Sequence, residues 1–140
     1  HPPGLFPGLP AAYSPSMQTL LCVGAGGFLG AVSRYGLSQW LRAALGGSYP
    51  LGTLAVNVLG CLGIGALLGL SPDHSGLSEN ARLFLVLGLL GSFTTFSTFG
   101  FQTLTLMREG DMLRAGLNIV LSVGLGLAAC WAGVALATRV

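Results

Sequence analysis

Four long apolar stretches, separated by short polar segments, make up most of the chain. They cover residues 18–44, 52–70, 78–107 and 111–138. A helix needs roughly 20 mainly apolar residues to cross the hydrocarbon core of a bilayer. The segments between the stretches, GGSYP, SPDHSG and REGD, are polar and rich in glycine or proline, as is typical of turns between helices. The pattern therefore predicts an all-α integral membrane protein with four transmembrane helices.

The segment before Met17 has a different character. Five of the seven prolines of the chain fall in residues 1–16, and proline disrupts both regular helices and paired strands. The segment also lacks the basic region and the continuous apolar run of a secretory signal. We interpret residues 1–16 as a flexible proline-rich arm, a vector remnant or an upstream extension, and residues 17–140 as the membrane domain.

Composition supports the membrane assignment and excludes two functional classes. Hydrophobic residues make up 52% of the 140 residues and charged residues only 7%, whereas a soluble domain carries about 25% charged residues. An ordinary soluble enzyme is therefore excluded. The net charge of +2 comes from six arginines without any lysine or basic cluster, so we expect no nucleic-acid partner.

Glycine is also unusually frequent, at 23 residues. Small residues spaced four apart let membrane helices pack with their backbones close together. The pairs Gly26/Gly30 and Gly65/Gly69 have this spacing and predict two sites of close helix packing.

The acidic side chains and the histidines lie in predicted loops or at helix ends. They are Asp73, Glu79, Glu109, Asp111, His1 and His74. A proton-coupled carrier uses a carboxylate inside the membrane, and a nucleophilic enzyme needs a base beside its nucleophile. Because the spans offer neither, we expect neither proton coupling nor catalysis.

Away from the ends of the stretches the polar side chains are neutral, apart from Arg34, the one candidate buried cation. The set that we single out is Arg34, Asn57, Thr94, Thr95, Ser97, Thr98, Gln102, Asn118 and Ser122. Unpaired polar groups are costly in hydrocarbon, so these side chains either join helices through hydrogen bonds or line a wet path. Hydrogen-bond donors without an intramembrane acid favour an anion over a cation. Arg34 could alternatively extend toward the headgroups.

The third stretch contains the unusual segment GSFTTFSTFG. A helical projection places Phe96 and Phe99 on one face and a row of hydroxyl groups roughly opposite. So many hydroxyl and β-branched residues between two glycines make a poor helix interior. The segment predicts a break near Gly91–Thr94, whose freed carbonyls need water, protein or a cation as partners.

The GSFTTFSTFG segment resembles the signature of the bacterial fluoride channel family known as Fluc or CrcB. Three further segments agree with this family in order and spacing, and the resemblance covers residues 17–140; the segments are GGFLGAVSRYGL, GTLAVNVLGCLGIG and NIVLSVGLGLAACWAG. The resemblance implies an antiparallel, dual-topology homodimer in the bacterial inner membrane. Such a dimer would carry two fluoride pathways and a structural sodium ion, and would export fluoride by passive conduction.

The resemblance also implies roles for individual residues. Asn57 would donate its amide to fluoride, and Phe96 and Phe99 would be the paired pore phenylalanines. The hydroxyl residues would hold the break and lie near the ion track; they are Thr94, Thr95, Ser97 and Thr98. Backbone carbonyls of Gly91 and Thr94 would coordinate sodium.

Three further positions follow from the same resemblance. Arg34 would lie near a vestibule mouth, and Ser122 and Asn118 would face the path from the fourth helix. Asn118 departs from a tyrosine that some family members have around this position.

Two rival functions belong to other classes. A small multidrug transporter shares four helices and dual topology, but its substrate chemistry needs a membrane-embedded glutamate, which the first stretch lacks. A non-transporting assembly subunit would explain the glycines, but not the threonine–phenylalanine segment or Asn57.

Overall fold

The computed structural model of the chain describes residues 15–46, 49–70 and 77–138. These residues contain four helices long and apolar enough to cross a membrane, which we call the first to fourth spans: Met17–Leu45, Leu51–Gly69, Glu79–Arg108 and Met112–Ala137. Each bound lies within one residue of the predicted one, so the four-helix prediction is confirmed. The predicted arm lies almost entirely outside the described residues.

Three of the spans begin with a polar cap that the sequence encodes locally. The side chains of Ser16 and Ser78 accept hydrogen bonds from backbone N–H groups three residues later, at 3.1 Å and 3.3 Å. Asp111 caps the fourth span in the same way, at 3.0 Å from the Arg114 nitrogen. These caps satisfy donors that a helix start leaves unpaired, and so they fix where each span begins.

The first and third spans pack side by side through glycine. A Cβ atom on Gly26 would collide with the carbonyl oxygen of Phe84, and one on Gly30 with the carbonyl oxygen of Leu89. Residues later in the first span contact residues later in the third span, so the two helices run parallel. The predicted close packing at Gly26/Gly30 is confirmed.

The second and fourth spans form an equivalent parallel pair. A Cβ atom on Gly65 would collide with the carbonyl oxygen of Cys130, and one on Gly69 would lie 2.9 Å from the Cα atom of Val134. The prediction for Gly65/Gly69 is therefore also confirmed. Without a hydrophobic driving force between helices in lipid, such close packing is a main source of their association.

Most large apolar side chains of the described residues point away from the bundle. Phe28, Trp40 and Trp131 are exposed, and only Val56, Leu106 and Ala115 form a buried apolar core. A soluble protein would bury such side chains. This inverted arrangement suits a helix bundle surrounded by lipid.

Candidate functional site

The third span is broken at Thr94 and Thr95. Thr94 has φ −84° and ψ 157°, and Thr95 has φ −149° and ψ 118°, so both are extended. A new helix, Phe96–Arg108, starts with Thr95 as its cap, and the Thr95 hydroxyl accepts from the Thr98 N–H at 3.3 Å. The predicted break is confirmed.

The position of the break differs slightly from the prediction. Gly91 is helical, with φ −61° and ψ −34°, and belongs to the short helix Gly91–Phe93. The chain leaves the helix three residues later because Thr95 can cap the helix that follows it. Gly91 therefore precedes the break rather than forming it.

The stretch before the break is wider than an ordinary helix. Leu83–Leu90 is a π-helix of eight residues, a form that occurs mostly as short bulges at functional sites. Gly88 lies in this stretch, and a Cβ atom there would be 2.7 Å from the carbonyl oxygen of Val23. The apolar sequence LFLVLGLL gives no signal for this geometry, and we did not predict it.

Asn57 of the second span closes the break with two hydrogen bonds. Its Oδ1 accepts from the Thr95 N–H at 2.8 Å, and its Nδ2 donates to the Thr95 carbonyl at 3.1 Å. One amide thus replaces the helical partners of both backbone groups of an extended residue. Only one Nδ2 hydrogen is used, so the second is still available as a donor.

The hydrogen bond between Thr95 and Asn57 leaves the Gly91 carbonyl without its helical donor. In an unbroken α-helix the Thr95 N–H would donate to the carbonyl four residues earlier, that of Gly91. That N–H is instead directed to Asn57. The Gly91 carbonyl has therefore lost its helical donor close to the extended backbone of Thr94.

Arg34 of the first span provides a second polar contact to the break. Its Nε donates to the Ser92 carbonyl at 3.1 Å, which an unbroken helix would have paired with the Phe96 N–H. Arg34 lies eleven residues before Leu45, the end of the first span, and its Nε is directed to the break. A cation also suits the negative end of the half-helix before the break. Its predicted place at a vestibule mouth stays a prediction.

Asn118 of the fourth span provides a third polar contact to the third span. Its Nδ2 donates to the Thr103 hydroxyl at 2.9 Å, and that hydroxyl donates to the Phe99 carbonyl at 2.8 Å. In the part of the chain that the structure describes, each of the other spans thus attaches one polar side chain to the third span. We call the attachments of Arg34, Asn57 and Asn118 the three clamps.

A cavity of about 340 Å³ lies beside the break, and we call it the Asn57 cavity. It brings together seven of the residues predicted for the site: Asn57, Gly91, Thr94, Thr95, Phe96, Phe99 and Ser122. The rings of Phe96 and Phe99 lie 5.5 Å apart between centroids and are inclined by 46°. The cavity therefore combines an amide, hydroxyl groups and two phenyl rings.

Four predicted site residues do not line the Asn57 cavity. Ser97 and Thr98 interact with the Thr95 hydroxyl, at 3.4 Å and 3.0 Å, and so belong to the cap of the second half-helix. Arg34 and Asn118 contact the third span from outside the cavity. All four lie around the break, but as supports rather than as lining.

The structure adds residues that the sequence did not single out. A Cβ atom on Gly60 would collide with the Thr94 side chain, so this glycine lets the break lie against the second span. Thr103 links Asn118 to the third span. The sequence feature that indicates its bond to the Phe99 carbonyl is the spacing of four residues between them.

A second cavity, also of about 340 Å³, lies near one end of the bundle and shares no lining residue with the Asn57 cavity. Its lining includes Tyr49 and Gln102. The Tyr49 hydroxyl and the Gln102 Oε1 are buried and have no hydrogen-bond partner among the described residues, so water is the partner we expect there. Burial raises the pKa of Tyr49.

Comparison with known proteins agrees with this architecture. A family model described as "CrcB-like protein, Camphor Resistance (CrcB)" matches residues 21–134. The chain belongs to the CrcB-like family. The match includes all three clamps and every residue of the Asn57 cavity.

Individual relatives cover nearly the same part of this CrcB-like chain. A protein of Roseiflexus sp. is 44% identical over 86% of the chain and 97% of its own length. One from Chloroflexus aurantiacus is 47% identical, over 86% and 95%, and one from Clostridium perfringens is 44% identical, over 79% and 89%. Each of these relatives is named "Fluoride-specific ion channel FluC". The family and the four spans make this CrcB-like chain a multi-pass bacterial membrane protein.

Proposed function

We propose that the protein is a passive, fluoride-selective channel that exports fluoride across the cell membrane and so reduces fluoride toxicity. The observation that carries the proposal is the Asn57 cavity, in which an amide and hydroxyl groups lie beside a broken span and two phenyl rings. The names of the relatives support the choice of ion.

The chemistry of the cavity suits a small, strongly hydrated anion. Fluoride can cross only where directed donors replace its water. The second Nδ2 hydrogen of Asn57 and the Ser122 hydroxyl are such donors. The rings of Phe96 and Phe99 can assist through their edges, which carry the positive part of the ring quadrupole.

Carboxylate positions favour passive conduction over proton coupling. In the described spans, Glu79 lies in the first turn of the third span, and Glu109 and Asp111 flank the short turn before the fourth. None lies at mid-membrane depth, where a proton relay or a multidrug-type glutamate would have to be. We therefore favour a channel over a multidrug transporter and over an enzyme.

The shape of the cavity supports assembly as an antiparallel, dual-topology homodimer. Phe96 is 83% exposed, and Gly91 and Ser97 beside the break are exposed as well. Polar backbone facing hydrocarbon is strongly unfavourable. A second copy that covers this face would enclose the break and complete the lining, which a non-transporting assembly subunit would not require.

The carbonyl oxygens at the break suit a structural sodium ion. The Gly91 carbonyl lacks its helical donor, and the neighbouring Thr94 is extended. Hard cations prefer such oxygen ligands, and the carbonyls of Gly91 and Thr94 from two copies would hold sodium between them. The ion would supply a fixed positive charge that links the two broken spans.

The deciding experiment is ion efflux from liposomes that contain the purified protein, measured with a fluoride electrode in the presence of a potassium ionophore. We expect rapid fluoride efflux and negligible chloride efflux. A well-folded protein that releases no fluoride would contradict the proposal.

The substitutions Phe96→Ile and Phe99→Ile test whether these two rings line the ion pathway. Both changes remove a ring that donates through its edge, so we expect fluoride efflux to slow by about 100-fold while the protein remains folded. Phe28→Ile changes an exposed ring on the first span and serves as the matched control. Wild-type rates in both pore variants would show that these rings do not line the pathway.

A further inference from the structure

Asn118 is more deeply buried than any other polar side chain of the described residues. Its exposed fraction is 2%, against 6% for Thr103 and Thr53. Ser122, one turn further along the fourth span, lines the Asn57 cavity, whereas Asn118 does not. An amide buried to this extent needs partners within the protein, so these partners define its role.

The hydrogen bonds around Asn118 form a relay with a fixed direction. A threonine hydroxyl has one proton, and Thr103 uses it to donate to the Phe99 carbonyl at 2.8 Å. The same hydroxyl can then only accept, and Asn118 Nδ2 donates to it at 2.9 Å. The relay therefore runs from the fourth span through Thr103 to the backbone of Phe99.

A neighbouring threonine shows what the Asn118 amide adds. Thr105 also donates to the carbonyl four residues earlier, that of Phe101, at 3.0 Å. Among the residues that the structure describes, Thr105 makes its side-chain hydrogen bond within its own helix. The Thr103 bond is instead anchored to a second helix, which restricts where the turn carrying Phe99 can lie.

The geometry points to Asn118 as a positioning residue for the ion pathway: through Thr103, its amide holds the Phe99 turn against the fourth span and thereby sets the place of the Phe99 ring in the Asn57 cavity. This inference rests on the proposed function. It differs from the expectation that Asn118 faces the pathway itself. The Phe99 ring lines the Asn57 cavity, and its partner ring, Phe96, is 5.5 Å away.

Substitutions in Thr103 separate positioning from direct contact with the ion. Thr103→Val keeps the shape of the side chain and removes the hydroxyl, whereas Thr103→Ser keeps the hydroxyl. If Asn118 acts through the hydroxyl, Asn118→Ala and Thr103→Val have similar effects and Thr103→Ser conducts like the wild type. If Asn118 contacts the ion directly, Thr103→Val has little effect.

The experiment measures fluoride and chloride efflux from liposomes for Asn118→Ala, Thr103→Val, the double variant and Thr103→Ser, with Thr105→Val as the matched control. We expect fluoride efflux to slow by about tenfold in both single variants. The double variant should be no slower than either single variant, because both remove the same relay. Thr105→Val should conduct like the wild type.

Ion selectivity distinguishes positioning from a loss of folded protein. Fewer folded channels lower both rates by the same factor, whereas a displaced Phe99 ring raises chloride efflux relative to fluoride efflux. We therefore expect the chloride-to-fluoride ratio to rise by several-fold in Asn118→Ala and Thr103→Val. If Asn118→Ala does not fold, the two Thr103 variants decide the question alone.

Three results would overturn the inference: wild-type conduction by Thr103→Val, equal slowing by Thr103→Ser, or slower rates with an unchanged selectivity ratio. Each leaves the proposed function intact, because the wild-type protein still conducts fluoride. Absence of fluoride efflux from the wild type would instead contradict the proposed function.

Discussion

The two halves of the third span are held in place by different forces. Before the break, glycines bring the first and third spans into backbone contact at Gly26, Gly30 and Gly88. At the break and after it, amide side chains hold the chain, with Asn57 on Thr95 and Asn118 on Thr103. The position of the first half therefore depends on shape, and that of the second half on hydrogen bonds.

This difference shows how a membrane helix can be interrupted without losing its place. Close packing tolerates no added volume but needs no polar group. Hydrogen bonds tolerate small changes in shape, but their loss leaves a buried polar atom unpaired. Arg34 combines close packing with hydrogen bonding, because it belongs to the tightly packed first span and donates to the Ser92 carbonyl at the break.

Gly30→Leu should have the largest effect because it breaks the packed half. The new Cβ atom would collide with the Leu89 carbonyl, and the backbone there cannot move away without separating the spans. We expect stability to fall by about 3 kcal/mol or more, measured by thermal unfolding in detergent. Gly24→Leu is the matched control, since a Cβ atom there meets nothing within 4 Å. Equal stability of the two variants would show that packing does not hold this half.

Asn57→Ala should have an intermediate effect because it releases the hydrogen-bonded half. Both backbone groups of Thr95 lose their partners, at a cost of about 1–3 kcal/mol in total because water in the Asn57 cavity can replace part of each bond. We expect fluoride efflux to fall by about 100-fold, with a smaller loss of thermal stability than Gly30→Leu causes. Asn57→Asp keeps the acceptor for the Thr95 N–H but removes the donor and adds negative charge, so it should conduct no better than Asn57→Ala. Faster conduction by the aspartate variant would contradict the donor role.

Arg34→Lys should have the smallest effect. It tests whether the charge or the hydrogen bond of Arg34 matters where the two halves of the third span meet. Lysine keeps the charge at the negative end of the half-helix but lacks the planar guanidinium that presents Nε to Ser92. We expect a stability loss of about 1 kcal/mol, measured by thermal unfolding. Arg34→Gln removes the charge as well and should be less stable than the lysine variant. The reverse order would show that the charge itself is unfavourable there.

The sequence predicts those features that repeat along the chain. Apolar length predicts the four spans, and glycine spacing predicts both packed pairs. The run of hydroxyl residues predicts a break, but its position depends on which threonine caps the next helix, and that choice depends on the Asn57 contact with Thr95.

Other features cannot be predicted from a local sequence pattern, because they depend on contacts between residues far apart in the chain. Asn118 and Ser122 are one helical turn apart and look equivalent in sequence, yet one is buried against Thr103 and the other lines the cavity. The π-helix Leu83–Leu90 has the same leucine-rich composition as an ordinary span. Gly88 of this helix lies against Val23 and Gly26, which are far away in sequence.

The order of the clamps along the chain has a consequence for biosynthesis. Arg34 and Asn57 precede the break in sequence, whereas Asn118 follows it. Proteins emerge from the ribosome N-terminus first, so the partners for Ser92 and Thr95 have been synthesised before the broken span requires them. The unpaired backbone groups of the break can then be satisfied as soon as the third span enters the membrane. Only the attachment near Phe99 must wait for the last helix.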